Sequence, residues 1–265
     1  MSPGFLLLLG WALAAAMMAV LWAVQRARTN AGFVDVGWTA GLGWLAILYA
    51  AAGNGPPLRR ALVATMAATW SLRLAWHLLT DRILGKPEDG RYQALRAHWG
   101  ERVQARLFVF FQVQAVLAVA LSVPFMVAMG GRGTLDAWSV AGVVVWVAAV
   151  AGEAIADAQL ARFRADPGNR GRTCRAGLWR ASRHPNYFFE WLHWWAYVLV
   201  AVGSPMWWAT LVGPALMLAF LLKVTGIPAT EAQAVRSRPD YAEYQRTTSA
   251  LVPWFPKRQG SGVRN

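Results

Sequence analysis

Seven long apolar runs limit what this chain can fold into. Each has roughly the 17–25 residues that an α-helix needs to cross the hydrocarbon of a bilayer. Charged residues make up 15% of the chain, against about 25% in soluble domains. The sequence therefore predicts an all-α polytopic membrane protein with a single membrane domain over residues 1–265. Its seven predicted transmembrane helices are residues 4–24, 33–52, 58–79, 107–129, 135–155, 186–203 and 206–224, and residues 225–265 form a cytosolic segment.

Basic residues set the predicted orientation. Most of the 26 lysines and arginines fall in residues 25–29, 80–106 and 158–185 and in the tail. The positive-inside rule places these segments in the cytosol, so the N-terminus is outside and the C-terminus inside a bacterial inner membrane. The first run lacks a basic region before it, and QRAR follows it, so we interpret it as a retained span rather than a signal peptide.

Several functional classes fit the composition poorly. A net charge of +13 would suggest nucleic acid in a soluble protein, but no nucleic-acid-binding module accompanies it. The single cysteine, Cys174, leaves no cysteine cluster for a metal, so no metal site is predicted. The seven runs also do not divide into the paired repeats typical of transporters.

The stretch GLWRASRHPNYFFEWLHWWAY, residues 177–197, changes from a basic loop to an aromatic helix in one step. Pro185 suits a first helical position. Arg183 and His184 therefore precede a helix N-terminus, whose free N–H groups favour an anion. Asn186 and Glu190 follow with a helical spacing and share one face.

Polar groups in the apolar runs lie near the predicted cytosolic ends. Charged groups in a bilayer are costly and commonly mark functional sites. Their common depth predicts a pocket open to the cytosol rather than a path through the membrane. Arg73 could instead extend to the interface, Asp157 and Arg164 could form a solvated helix end, and Asp35 needs a partner from another helix. The polar groups concerned are Asp35, Arg73, Glu153, Asp157, Asn186 and Glu190.

Arginine greatly exceeds lysine around this predicted pocket. The guanidinium group binds phosphate oxygens in a bidentate way, so the excess favours a phosphate-bearing ligand. No P-loop and no GxGxxG motif occurs, so a Rossmann domain is not predicted. The arginines concerned are Arg82, Arg91, Arg164, Arg170, Arg172, Arg175, Arg183, Arg236 and Arg238.

Motifs over nearly the whole chain resemble those of bacterial relatives of steroid 5-alpha-reductase that carry the uncharacterised conserved domain DUF1295. The motifs are NAGFVDVGW, KPEDGRYQALR, EAIADAQLARFR, GLWRASRHPNYFFEW and TGIPATEAQAVRSRPDYAEYQRTTSALVPWFPK. The superfamily also contains sterol C14-reductases and isoprenylcysteine carboxyl methyltransferases. The resemblance implies seven helices and a cytosolic pocket for NADPH, from which a hydride passes to an enone.

The resemblance also implies roles for individual residues. Asp157 and Arg164 match the reductases' Asp and Arg on helix five, and Asn186 and Glu190 match the pair on helix six. Asp35 is the candidate helix-two carboxylate, although VDVGW departs from the steroid enzymes' Gln-Glu. Trp70, three residues before Arg73, is the candidate for their substrate-facing tyrosine. The remaining candidate cofactor residues are Arg82, Glu153, Arg175, Trp179, Arg183, His184, Tyr187, Arg236, Tyr241 and Tyr244.

We therefore expect an NADPH-dependent reductase of an activated C=C bond in a lipophilic substrate that enters from the membrane lipids. Asp35, Trp70 and Arg73 are the expected catalytic residues. Two alternatives stay open at this point. One is an S-adenosylmethionine-dependent methyltransferase of the isoprenylcysteine type, because it also uses an RHP-x-Y segment. The other is a non-enzymatic lipid-binding or transport protein.

Overall fold

The computed structural model describes residues 1–131, 133, 135–224 and 226–256. Within these ranges the chain folds into α-helices joined by short 3-10 and π turns, with one isolated β-bridge between Ser182 and Ser249 and no β-strand. The predicted all-α class is confirmed. The helices are α1 (Pro3–Arg28), α2 (Phe33–Ala52), α3 (Pro57–Leu78), α4 (Gly90–Trp99), α5 (Val103–Met129), α6 (Ala137–Ala165), α7 (Pro185–Val200), α8 (Val212–Ala219), α9 (Ile227–Ser237) and α10 (Tyr241–Thr247).

Five helical stretches among the described residues are long and apolar enough to cross a membrane, which indicates an integral membrane protein. Helix α3 has 22 residues but carries Arg59, Arg60 and Arg73. Helix α7 has only 16 residues. These two account for the difference from the seven predicted spans. The five stretches are Pro3–Arg28, Phe33–Ala52, Gly90–Met129, Ala137–Ala165 and Trp207–Ser237.

The chain divides into two compact units. The first comprises Met1–Val143 and Tyr197–Gly213, and the second comprises Val144–Ala196 and Pro214–Asn265. Of the predicted site residues, Asp35, Trp70, Arg73 and Arg82 belong to the first unit. All the others belong to the second unit.

Glycines on α2 allow close helix packing in the first unit. A Cβ at Gly37 would clash with Cδ1 of Leu21 on α1. At Gly43 it would lie 2.8 Å from Cβ of Ser71 on α3. Small residues let helix backbones approach where lipid offers no hydrophobic drive for association. The Gly-rich composition of α2 therefore serves contacts with both of its neighbours.

Arg59 is buried in the first turn of α3, with 2% of its surface exposed. Its Nη1 donates a hydrogen bond of 2.6 Å to the carbonyl of Val200 at the end of α7. Its Nη2 lies 3.9 Å from a carboxylate oxygen of Asp136. Arg59 thus satisfies a helix C-terminus, where cations are favoured.

The second unit is held together by buried aromatic groups. The ring of Phe189 on α7 lies against Gly152 of α6, where a Cβ would clash with Cε1 of the ring. Trp179 donates from Nε1 to the carbonyl of Ala156 at 2.9 Å, which fixes the turn before α7 to α6. The hydroxyl of Tyr244 on α10 donates to the carbonyls of Trp179 and Ser182.

Replacing Gly43 with Ala is expected to destabilise the protein by about 1–3 kcal/mol, because the added methyl overpacks the α2–α3 contact. The measurement is thermal unfolding of the purified protein in detergent. Gly4→Ala is the matched control, since no atom lies within 4 Å of a Cβ at that position. Equal melting temperatures for the two variants would contradict the packing role of Gly43.

Candidate functional site

The basic residues before α7 contact a carboxylate of the protein itself. Arg183 donates from Nε to Oε1 of Glu231 on α9 at 2.6 Å. Nε2 of His184 lies 3.1 Å from the same oxygen, and Gln245 donates to Oε2 at 2.7 Å. Arg183 also donates to the carbonyls of Gln245 and Thr248. The anion that Arg183 and His184 contact in this structure is therefore Glu231.

A polar strip connects α6 and α7. Asn186 donates from Nδ2 to Oδ1 of Asp157 at 3.2 Å, so two residues that the resemblance assigns to the cofactor lie within hydrogen-bond distance. Glu153 lies one turn earlier on α6 and is buried, with 2% exposed. Glu190 lies one turn later on α7 and is half-buried. Residues four apart share a helix face, so each helix contributes one pair to the strip.

Aromatic candidates for cofactor binding lie mostly within the packed part of the second unit. The ring of Tyr187 stacks on His184 at 5.2 Å, and its hydroxyl lies 3.2 Å from Oγ1 of Thr230. Tyr241 and Tyr244 are buried, at 3% and 2% exposed. Burial, and after it the negative charge of Glu231, raises the pKa of Tyr241. Burial also raises the pKa of Tyr244, so both phenols remain protonated hydrogen-bond donors.

Arg175 joins the basic loop to α10. Its Nη2 donates to the carbonyl of Asp240 at 2.9 Å and to Oε2 of Glu243 at 3.2 Å. Thr173 donates to the Asp240 carboxylate from its hydroxyl at 2.7 Å and from its amide at 3.1 Å. Partial burial raises the pKa of Asp240, but the Thr173 hydrogen bonds and then Arg175 outweigh it, so the pKa is lowered. This contact is therefore intact at neutral pH and weakens as the pH falls through the lowered pKa.

A cavity of about 430 Å³ opens at the C-terminal end of α6 in the second unit. Its lining includes one carboxylate, that of Asp166, and four arginines, which are Arg164, Arg170, Arg172 and Arg238. Asp166 accepts hydrogen bonds from Gly168 and Asn169 in its own turn.

Three of these arginines retain their donors for a ligand. Within the described ranges, the side chains of Arg170, Arg172 and Arg238 make no hydrogen bond or ion pair. Phe163 and Leu160 form an apolar part of the cavity wall. The cavity thus presents positive charge and guanidinium donors, the chemistry that phosphate oxygens require.

The first unit holds a separate polar cluster around Asp35. Tyr92 on α4 donates its hydroxyl to Oδ1 of Asp35 at 2.7 Å, and Nη2 of Arg91 donates to Oδ2 at 3.2 Å. Arg91 also contacts Asp89, which caps α4 by accepting from the amide of Arg91 at 2.9 Å. The partner of Asp35 thus comes from another helix, as its position required. That helix is α4, in the polar stretch after α3.

Glu88 extends this cluster to the corner between α1 and α2. It accepts from the amide of Ala31 at 2.6 Å and from Nε of Arg96 at 2.8 Å. Arg96 in turn donates to Gln25 at 2.9 Å. The stretches NAGFVDVGW and KPEDGRYQALR are therefore joined in one hydrogen-bonded network.

The remaining predicted site residues are placed as follows. Trp70 is fully buried in α3 and Arg73 is half-buried one turn later. Arg82 is half-buried. Burial raises the pKa of Asp89, but the contacts with Arg91 and then the positive charge of Arg82 outweigh it and lower this pKa. Arg236 is exposed on α9. Their catalytic and cofactor roles stay predictions. In the part of the chain that the structure describes, no three His, Cys, Asp or Glu side chains meet as a metal site needs.

Sequence reasoning missed Glu231 and Tyr92. Each acts through a contact with a segment far away in the sequence, and Tyr92 has no local signal. Glu231 is the one acid between Lys223 and Asp240. An isolated carboxylate in an arginine-rich segment is the pattern that could have identified it.

Replacing Glu231 with Gln is expected to destabilise the protein by about 3 kcal/mol, because the mostly buried Arg183 and His184 lose their carboxylate. The melting temperature should fall by roughly 6–12 °C, since 1 kcal/mol corresponds to about 2–4 °C at this chain length. Thermal unfolding in detergent measures this fall. Glu101→Gln, an exposed carboxylate, serves as the control. A fall no larger than that of the control would show that Glu231 is dispensable for the fold.

Comparison with known proteins identifies a family for this chain. The family model described as protein of unknown function (DUF1295) matches residues 21–248. This range contains every candidate site residue from Asp35 to Tyr244 and the partners Tyr92 and Glu231. No curated protein and no solved structure matches the chain. Because the match covers most of its length, the chain belongs to the DUF1295 family.

Proposed function

We propose that the protein is an NADPH-dependent membrane reductase of an activated C=C bond in a lipid or steroid-like substrate. The observation that carries this proposal is the cavity at the end of α6, which is lined by four arginines and one carboxylate. NADPH bears a pyrophosphate and a 2′-phosphate, and arginine forks bind such groups in a bidentate way. The resemblance to steroid 5-alpha-reductase relatives independently favours this cofactor.

The residues present fit the phosphate-bearing end of NADPH. Arg164, which the resemblance assigns to the cofactor, lines the cavity together with Arg170, Arg172 and Arg238. S-adenosylmethionine carries a positive sulfonium and no phosphate, so four arginines oppose rather than favour it. The cavity thus supports the reductase over the methyltransferase, which the RHPNY segment alone cannot do.

The proposal includes seven transmembrane spans in a bacterial inner membrane, with the N-terminus outside. Beyond the five apolar stretches it requires α3 and α7. Helix α3, with 22 residues, is about 33 Å long and sufficient for a bilayer. Helix α7, with 16 residues, is about 24 Å long, so the turns after Val200 must complete its crossing. The basic segments support the orientation.

When bound, NADPH would supply the hydride. The residues of the first unit have a different task in this proposal. Asp35 accepts the hydrogen bond of the Tyr92 hydroxyl and orients the Arg91 guanidinium, whose remaining N–H groups can donate to a substrate oxygen where negative charge develops. Trp70 and Arg73 stay assigned to the substrate, and the apolar helices admit it from the lipid. A lipophilic substrate suits this route because the helices expose many large apolar side chains.

Cofactor choice is tested by ligand-dependent thermal stability. Saturating NADPH should raise the melting temperature, since a ligand at about 100 times its Kd stabilises by about 2.7 kcal/mol. S-adenosylmethionine should not. The double replacement Arg172→Ala and Arg238→Ala should weaken NADPH binding by roughly 10-fold or more, because each charged hydrogen bond contributes about 1.5–3 kcal/mol.

Arg28→Ala is the control for this experiment, because Arg28 is an exposed arginine at the end of α1. Stabilisation by S-adenosylmethionine alone would replace the reductase with the methyltransferase. Stabilisation by neither ligand would favour a non-enzymatic lipid-binding or transport protein.

The role of the Asp35 cluster is tested by activity. Asp35→Asn and Tyr92→Phe should both retain NADPH-dependent stabilisation. Asp35→Asn should lose roughly 100-fold or more of turnover, the usual cost of one oriented donor, and Tyr92→Phe should lose less, because it removes only a hydrogen bond to Asp35. The measurement is NADPH oxidation that depends on a lipid extract of the host membrane. Asp81→Asn, an exposed acid near the same segment, is the control. Full activity in both variants would remove this cluster from the mechanism.

A further inference from the structure

Two aromatic residues stand exposed near the end of the described chain. Trp254 is 69% exposed and Phe255 is 86% exposed. Their rings contact each other edge to face at 6.4 Å. Both residues lie outside the five apolar helical stretches. Large aromatics exposed to water are costly, so an exposed pair of this kind indicates a surface that binds something apolar.

Hydrogen bonds fix the segment that carries these aromatics, residues 249–256, which we name the C-terminal strap. The amide of Arg183 donates to the carbonyl of Ser249 at 2.8 Å. Ser182 donates from Oγ to the carbonyl of Leu251 at 2.7 Å. The amide of Trp254 donates to the carbonyl of Ala181 at 2.9 Å. The strap is thus held along its length against the turn before α7.

The same turn fixes the depth of the strap along α6. Trp179 donates from Nε1 to the carbonyl of Ala156. Ala156 is the twentieth residue of α6, which places it about 30 Å from the start of that helix. This length equals the thickness of the hydrocarbon core. Asp157 follows at once, so a span that begins at the start of α6 would leave the hydrocarbon at the turn and the strap.

Basic residues accompany the aromatic pair. Arg180 is exposed in the turn beside the strap, and Lys257 and Arg258 follow Pro256 in the sequence. Trp is enriched at the depth of the headgroups, Phe is common on faces that bury into the headgroup boundary, and nearby Lys and Arg attract anionic lipids. We propose that Trp254 and Phe255 insert into the anionic lipid headgroup layer at the C-terminal end of α6 and anchor the C-terminal strap to the bilayer.

This anchor is tested with a fluorescent probe at the tip. In a Cys174→Ala background, Phe255→Cys is labelled with an environment-sensitive dye, and the full chain is placed in nanodiscs containing phosphatidylglycerol. The dye should emit at shorter wavelength than the same dye on Lys86→Cys, an exposed loop position. A nitroxide on the lipid headgroup should quench it several-fold more strongly than the control. Water-like emission with quenching equal to the control would overturn the proposal.

Two further arms separate other occupants of this surface. Discs with one copy of the chain should give the same shift as discs with two, since a shift confined to two copies would identify a second chain as the occupant and overturn the proposal. Replacing phosphatidylglycerol with phosphatidylcholine should reduce headgroup quenching at Phe255. Unchanged quenching would overturn the anionic preference. Neither arm depends on NADPH binding, so the outcome is independent of the proposed reductase.

Discussion

The carboxylate of Glu231 is the contact on which the second unit most depends. A mostly buried arginine and a buried histidine meet on one of its oxygens, and Gln245 satisfies the other. Charged groups out of water are tolerated only when paired and hydrogen-bonded, so Arg183 and His184 require this acid. Through it, the start of α7 is joined to α9 and to the segment before the C-terminal strap. The RHPNY sequence is therefore a structural motif in this protein as well as a candidate binding motif.

The first unit uses the same chemistry at a different place. Asp35 forms an ion pair with Arg91, and Glu88 forms one with Arg96. Both arginines lie in the segment that links α3 to α5. A polar stretch that cannot enter the bilayer is thereby fixed to the ends of α1 and α2. In both units, charged side chains near the ends of apolar helices form specific ties between segments. Many of the charged residues in this chain therefore pair with one another.

Local features were readable from the sequence, and distant contacts were not. The run 33–52 coincides with α2 because Asn30-Ala31-Gly32 and Gly53 interrupt the helical pattern at both ends. Pro185 begins α7 for the reason its fixed φ suggests. Helix α6 extends past the predicted end of its transmembrane span at 155 to Ala165, because a helix can extend beyond the hydrocarbon into water. Glu231 and Tyr92 were missed since their partners are 47 and 57 residues away.

The distribution of arginine contacts sharpens the case for a phosphate ligand. Arg91, Arg96, Arg175 and Arg183 bind carboxylates of the protein, so their positive charge is already balanced. An overall arginine excess could reflect genome composition or membrane orientation alone. The excess indicates an anionic ligand only where several guanidinium groups lie together with fewer carboxylates to balance their charge. Among the described residues, the cavity at the end of α6 is such a place, because Arg170, Arg172 and Arg238 face one acid that is already hydrogen-bonded in its own turn. An anionic ligand would neutralise the positive charge of these arginines, as Glu231 and Asp35 neutralise Arg183 and Arg91.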